Sequence, residues 1–467
     1  MVNSIIWFRN DLRINDNAVI NYCLKNKRKV LPVYIYDPST SLGSASKWWL
    51  KRSLISLNNS LKGNLIVIEG EPSKMLLDLV NKNSIKEILW NERYSKYDRS
   101  QDNEIINIYK NKEVNCITFH SCLLKNPQKT LKKDATPFKV YTPFYKQQYQ
   151  GIAYELFNYN TDEIDYIDCD DKKQILKILD MTLRTEKWQE KLQDEWSPGE
   201  AGAQEKLKVF LSNGLNGYSE GRNRPDKQHT SMLSPHIRFG EISIREVAKA
   251  VENKNTEDAE IFYKELVWRE FSYHLLYHFP HLVDKNLQKK FDKFKWLDNK
   301  DHLESWQKGM TGYPIIDAGM RQLYQTGYMH NRVRMIVGSF LVKNLMLHWS
   351  HGQKWFWDTL VDADIASNSA SWQWVAGTGA DAAPYFRIFN PITQSKKFDP
   401  DGVYIKKYVH ELKNIPNNII HMPSDYDIET LKNYGLILGE DYPFPIVDLS
   451  ITRNRALSAF KELSAEK

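Results

Sequence analysis

The chain has 467 residues, too many for one ordinary hydrophobic core, so two domains are expected, each burying a core of its own. Its 42% hydrophobic and 26% charged content is that of a soluble globular protein. A net charge of +6 permits nucleic-acid binding without establishing it, which leaves the decision to where the basic residues sit. The four cysteines, Cys23, Cys116, Cys122 and Cys169, form no CxxC pair, and no His/Cys cluster has metal-ligand spacing. Buried reduced thiols, no metal and a cytoplasmic location are therefore expected. MVNSIIWFRN lacks the zones of a signal peptide, and no apolar stretch is long enough to span a membrane.

The first part of the chain alternates. Ile5 to Phe8 and Val30 to Tyr36 are short apolar runs, followed by a helical stretch from Lys47 to about Leu61. NLIVIEG, PSKMLLDLVNKN and KEILWNE come next, then a polar helix containing Asp98 to Tyr109, then VNCITFH, which carries Cys116 just ahead of Cys122. Short β-branched runs alternating with helical patterns predict a doubly wound parallel sheet, Rossmann- or flavodoxin-like, with helices on both faces. Such a sheet binds ligands beyond the carboxyl ends of its strands, though no GxGxxG fingerprint is present.

From Asn126 to Trp196 the pattern dissolves into a stretch rich in proline, lysine and aspartate, including DEIDYIDCDDKK. It reads as a connection running over the surface. From Ser197 onward the signal is helical: SPGEAGAQEKLKVFL opens with a good helix start, and AEIFYKELVWREFSYHLLYHF and HNRVRMIVGSFLVKNLMLHW carry apolar residues at helical spacing. The expected organisation is an α/β domain over 1–125, a connector over 126–196 and an all-helical domain over 197–467. Eight of the 14 tryptophans fall from Trp268 onward, which suggests a large aromatic core or redox and stacking work.

Several segments carry chemistry. Thr230 to Ser243 (TSMLSPHIRFGEIS) offers hydroxyls beside a helix start, where phosphate binding competes with plain capping. Glu265, Trp268 and Arg269 share one helix face at i, i+3, i+4 spacing. They suit either a salt bridge or a base-stacking platform with a polar reader beside it. Arg332 and Arg334 lie on a helix expected to begin just after Gly327; alone they would be a solvated face. Asp362 to Pro391 (DADIASNSASWQWVAGTGADAAPYFRIFNP) reads as a poor helix whose small residues admit a flat ligand. There Asp362 and Asp364 could accept from ring N–H groups, and Asn368 could face a reactive atom without bringing charge.

Together WFRNDLR (Trp7–Arg13), SKWWL (Ser46–Leu50), YTPF (Tyr141–Phe144), ELVWREF (Glu265–Phe271), TGYPIIDAGMRQL (Thr311–Leu323), GYMHNRVRM (Gly327–Met335) and Asp362–Pro391 resemble the cryptochrome/photolyase family over nearly the whole chain. Within that family the likeness is to the bacterial-type cyclobutane pyrimidine dimer photolyases, light-driven carbon–carbon lyases. The resemblance implies an N-terminal antenna domain and a C-terminal helical domain holding FAD, active when reduced. It assigns the FAD phosphates to Tyr218, Thr230, Ser231, Leu233 and Ser234, and the flavin surround to Arg269, Arg334, Asp362 and Asp364. Arg334 and Asp362 would form an ion pair over the flavin, and Asp364 would bond its pyrimidine edge. Asn368 would face the flavin's reactive nitrogen, where asparagine suits repair.

The resemblance also implies an electron-transfer row of Trp372, Trp349 and Trp296. It places the dimer against Glu265, Trp268, Asn331, Met335 and Trp374, with Arg222, Arg332 and Arg387 on DNA phosphates. The lesion would be flipped out of the duplex, as the general behaviour of photolyases requires. Light would drive an electron from reduced FAD to the dimer, without a general base, nucleophile or metal. The rivals are a cryptochrome-type blue-light receptor, disfavoured by Asn368, the dimer pocket and the short tail, and a (6-4) photolyase, disfavoured by Asn331 and Met335 where histidines would stand. A simple nucleotide-binding α/β enzyme leaves the aromatic C-terminal half unexplained. A second antenna chromophore (folate, deazaflavin or flavin) has a place in the family pattern. Tyr97 and Asp98 stand where folate binders carry an Asn–Glu pair, which speaks against folate. Damaged DNA is the expected partner, and a monomer the expected state.

Overall fold

The computed structural model describes residues 2–169, 179, 180, 183, 186–385 and 387–465. Residues 170–173 of the acidic run, much of the rest of the connector up to 185, and Phe386 lie outside the described residues. The described chain divides into two compact units: one of residues 1–215, 231–280 and 361–364, the other of residues 216–230, 281–360 and 365–467.

The first unit is built on a parallel sheet of β1 (Asn3–Phe8), β2 (Lys29–Tyr36), β3 (Ile66–Glu69), β4 (Glu87–Asn91) and β5 (Asn115–Phe119), in the order β3-β2-β1-β4-β5. The register runs Ile5↔Leu31 and Ile5↔Ile88 through the centre. Central strands of such a sheet are covered on both faces, so they read as continuous apolar runs. Ile5, Leu31, Val33, Ile88 and Trp90 are buried in one core with residues of the flanking helices. The order reverses between β1 and β4, which is where a ligand of such a sheet is expected.

The connector is more structured than its composition predicts. A two-residue strand, β6 (Asp165–Tyr166), pairs with the start of β2, and the helix Tyr141–Gln148 buries Tyr141, Phe144 and Tyr145. Aromatic side chains there outweigh the polar composition, because each buries a large apolar surface. The first unit also holds the 22-residue helix Glu257–His278. Gly240 closes the Ser234–Phe239 helix at φ 68°, and a Cβ there would stand 2.1 Å from the Asn10 carbonyl oxygen, so glycine is required twice over.

The second unit is helical, with no strand named among its described residues. Two expectations are corrected here. The segment read as a poor helix contains a regular one, Ile365–Ala376, because its small residues go into packing: Ala366, Ser369 and Ala376 are buried along with Trp372 and Val375. The helix carrying Arg332 and Arg334 spans Asn331–Ser339 and does not begin just after Gly327. Gly327, at φ 66°, instead ends the preceding helix Pro314–Thr326, and His330 caps the next by accepting from Arg332 N at 3.2 Å. Among the described residues no helix is long and apolar enough to cross a membrane.

Candidate functional site

The Glu257–His278 helix begins at Thr256, whose side chain accepts from Ala259 N, with Glu257, Asp258 and Glu260 in its first turn, the sign the helix dipole favours. It carries Glu265, Trp268 and Arg269 in the first unit. The Trp268 indole stacks on Tyr141, ring centroids 3.7 Å apart and planes 4° from parallel. Tyr141 is itself fixed by its hydroxyl, which donates to the Lys264 carbonyl at 2.7 Å. Phe271 meets the indole edge-on at 5.8 Å, and Trp268 stays partly exposed. Sequence reading places Tyr141 in a motif but gives it no role; the YTPF spacing alone does not say what the ring touches.

Arg269 donates to the Cys122 carbonyl at 3.4 and 3.3 Å and lies 4.8 Å from the centre of the Tyr273 ring. The neighbouring Glu270 is structural: it accepts from Leu124 N at 2.9 Å, and burial pushes its carboxyl up to about 7. Residues 361–364 of this unit are held by three side chains. Ser234 Oγ donates to Asp362 at 2.6 Å, Tyr273 Oη to Asp364 at 2.5 Å, and Arg238 Nε to the Ala363 carbonyl at 2.8 Å. Ser231 Oγ accepts from Leu233 N at 3.3 Å across Met232, whose φ of 55° is unusual for a side chain of that bulk. Strain of this kind concentrates at ligand clamps. The structure thus brings Ser231, Leu233, Ser234, Arg269, Asp362 and Asp364 into one unit.

The second unit holds Tyr218, Arg222, Thr230, Trp296, Asn331, Arg332, Arg334, Met335, Trp349, Asn368, Trp372, Trp374 and Arg387. Gly217 at φ 79° turns the chain into Tyr218, which is buried with the Arg222 guanidinium 5.7 Å from its ring. Arg332 donates Nε to Asn223 Oδ1 at 3.2 Å and lies 4.5 Å from the centre of the Phe398 ring. Burial and the nearby Arg222 lower its pKa. Burial, Arg332, Arg334 and Arg222 push His330 down to about 4, so it stays neutral at neutral pH. This crowding of cations is the local positive field that the modest net charge could not reveal. Arg334 donates to the Met329 carbonyl at 2.7 Å.

On Ile365–Ala376, Asn368 Nδ2 donates to the Gln353 carbonyl at 3.0 Å. Trp372 rests against Gly352, where an added Cβ would meet the indole at 2.0 Å. Trp349 lies three residues before Gly352 on the helix Trp349–Thr359, and its Nε1 donates to Asn286 at 2.9 Å. The His348 ring lies between two of the expected row, 5.1 Å from Trp349 and 5.3 Å from Trp296. Trp372 and Trp349 are buried and Trp296 is partly exposed, an inside-to-outside gradient. Arg387 is exposed, and its carbonyl accepts from Lys343 Nζ at 2.9 Å.

Comparison with known proteins defines the class. Residues 4–158 match the family model for DNA photolyase, and residues 262–462 match that for the FAD binding domain of DNA photolyase. The chain is 43% identical to the deoxyribodipyrimidine photo-lyase of Agrobacterium fabrum, covering 98% of this chain and 97% of that protein. It is also 32% identical to Cryptochrome-1 of Arabidopsis thaliana, over 98% of this chain and 70% of that one. The crystal structure of a bacterial class III photolyase from Agrobacterium tumefaciens superposes with a TM-score of 0.96 at 42% identity, covering 100% of this chain and 98% of that one. The chain belongs to the DNA photolyase family.

The family implies FAD, and the donor set suits it. The buried carboxylates of Asp362 and Asp364 each accept from a hydroxyl and, as acceptor-only groups, match the N–H and hydroxyl edges of a flavin nucleotide. The Ser231 hydroxyl, which accepts from Leu233 N beside the strained Met232, keeps its own proton to donate to a phosphate oxygen.

Proposed function

We propose that this protein is a deoxyribodipyrimidine photo-lyase that repairs cyclobutane pyrimidine dimers in DNA under light. The observation that carries the reading is the Trp268 indole, held flat by Tyr141 on the helix that also carries Glu265. A rigid aromatic plane beside a carboxylate suits a flipped-out dimer: the ring stacks on it, and Glu265 accepts from its base edge.

Reduced FAD, when bound, supplies the photoexcited electron that opens the cyclobutane ring. The chain's own residues bind and orient. Tyr218, Thr230, Ser231, Leu233 and Ser234 take the phosphates; Arg269, Arg334, Asp362 and Asp364 take the flavin. Asn331, Met335 and Trp374 are further residues for the dimer, and Arg222, Arg332 and Arg387 neutralise DNA phosphates. Trp372, Trp349 and Trp296 carry electrons inward to the flavin. The domain division 1–125, 126–196 and 197–467, a monomeric state and a cytoplasmic location belong to the same reading.

On the same reading an antenna chromophore belongs at the carboxyl ends of the strands, where Trp7, Arg9, Tyr34, Asp37 and Arg93 line a small cleft. Tyr97 and Asp98 are both engaged, Tyr97 Oη donating to Asp37 at 2.7 Å and Asp98 pairing with Arg93 at 3.1 Å.

Light sensing without repair is the second reading, favoured by the likeness to Cryptochrome-1. One experiment separates them. Reduced, FAD-loaded protein is incubated with dimer-containing duplex DNA in parallel light and dark samples, with Glu265→Ala alongside. Loss of dimers only in light, weakened in the variant, is the expected result. No loss with protein shown to hold reduced FAD sinks the repair reading.

A further inference from the structure

Tyr273 carries a buried hydroxyl beside Asp364, one of the carboxylates assigned to the flavin. It lies four residues beyond Arg269 on the same helix, so the two side chains share a face. Its Oη donates to Asp364 Oδ2 at 2.5 Å, and its ring lies under the Arg269 guanidinium at 4.8 Å. The ring has a second neighbour. Tyr94 meets it edge-on at 6.3 Å, and Tyr94 Oη lies 2.5 Å from His120 Nδ1. Burial and Asp364 raise the Tyr273 pKa well above its ordinary value, so the phenol keeps its proton and remains a donor.

We propose that Tyr273 is a positioning residue for the flavin: through its hydroxyl it fixes the Asp364 carboxylate and draws off part of that group's charge, which makes the bound flavin easier to reduce. This rests on the FAD reading above. A carboxylate has two oxygens and several lone pairs. With one oxygen tied to Tyr273, the carboxylate is held in a single orientation. The sign of the redox effect follows from electrostatics. Reduction adds two electrons and one proton, so the reduced cofactor carries one more negative charge than the oxidised one. A carboxylate that already receives a hydrogen bond repels this added charge less. Removing the hydroxyl concentrates the charge on Asp364 and disfavours reduction. Low dielectric around the pair strengthens the effect.

Tyr273→Phe is the appropriate probe, because it keeps the ring that Tyr94 and Arg269 pack against and removes only the donor. The midpoint potential of the FAD-loaded full-length protein is measured by spectroscopic redox titration in wild type and variant, together with the rate of FAD release. At a fixed potential the ratio of oxidised to reduced flavin should rise about tenfold in the variant, about 30 mV for a two-electron couple. FAD should also leave faster. In an Asp364→Asn background the same substitution should change neither quantity, since the group it acts through is gone. A variant with the potential and release rate of wild type overturns the proposal, as does an equal shift in the Asp364→Asn background. Wild type that binds FAD but repairs no dimer overturns the repair function and leaves Tyr273 standing. Wild type that takes up no FAD overturns both.

Discussion

Tyr141 lies flat on Trp268, and the two come from different helices separated by more than a hundred residues of chain. An indole offered to a base must not rotate, and a parallel ring pressed against one face prevents rotation while adding favourable stacking of its own. Removing the Tyr141 ring should therefore weaken recognition without touching the flavin. Tyr141→Ala is expected to lower affinity for dimer-containing DNA by about 1 kcal/mol, roughly fivefold. Tyr141→Phe keeps the stack and should stay near wild type. Binding isotherms on dimer-containing and undamaged duplexes check this; an equal loss on both would mean the ring serves only the fold.

Asn368 donates its amide to the Gln353 carbonyl, which turns its own carbonyl oxygen the other way. A side chain so oriented presents an acceptor, suited to an N–H on reduced flavin. Asn368→Asp sets a carboxylate against a carbonyl, two acceptors with no proton between them, at a cost of about 1–3 kcal/mol. The new acid regains the contact by taking a proton, so its folded pKa rises above the ordinary carboxyl value. The variant should then be close to wild type at low pH and lose stability as pH rises through the raised pKa. Thermal melts at pH 5 and pH 8 read this directly. A pH-independent difference would place the introduced carboxylate in solvent and not against Gln353.

Gly352 has no side chain because the Trp372 ring occupies its place. Gly352→Ala must displace the indole, destabilising the fold by about 1–3 kcal/mol. Since Trp349 is three residues away on the same helix, the displacement also changes the approach of the two expected electron carriers. Light-driven reduction of oxidised FAD should slow in Gly352→Ala and fail in Trp372→Phe, while protein reduced chemically beforehand still repairs dimers in both. Unchanged photoreduction in Trp372→Phe would make the tryptophan row a packing feature.

The parallel sheet is legible because buried central strands are written as β-branched runs such as VLPVYIY, and hairpin-free alternation with helices leaves few topologies. The Ile365–Ala376 helix escapes sequence reading because its small residues have a purpose invisible to helix propensity: Ala366, Ser369 and Ala376 are buried. The Tyr141–Gln148 helix is lost in a polar stretch because three aromatics decide its burial. At the site, residue types at the expected spacings are readable, but contacts between distant segments are not. Tyr273 shows why: its partner, Asp364, is 91 positions further along the chain, and no local periodicity encodes that pairing.

Lys343 tethers the segment that carries Arg387. It sits in the π-helical turn Phe340–Asn344, is 1% exposed, and donates to the carbonyl of Arg387 at 2.9 Å. Four residues earlier, Ser339 Oγ accepts from Phe389 N at 3.3 Å, so the segment is pinned at two points. Burial, helped by the Arg387 charge, pushes the Lys343 ammonium down to about 8 from 10.5. The sign follows. Between these values the unfolded chain holds a proton that the folded chain has released, so the stability owed to this residue rises with pH across that window and is flat on either side. Lys343→Met has similar shape and no charge, so it removes both the slope and the tether. Relative to this variant, wild type should gain about 3 kcal/mol between pH 7 and pH 10.5 in urea unfolding. Dimer-containing DNA should bind the variant more weakly at pH 7 while FAD content is unchanged. A wild-type-to-variant difference that stays constant with pH would mean the ammonium reaches water, and Arg387 would then owe its place to the Ser339 contact alone.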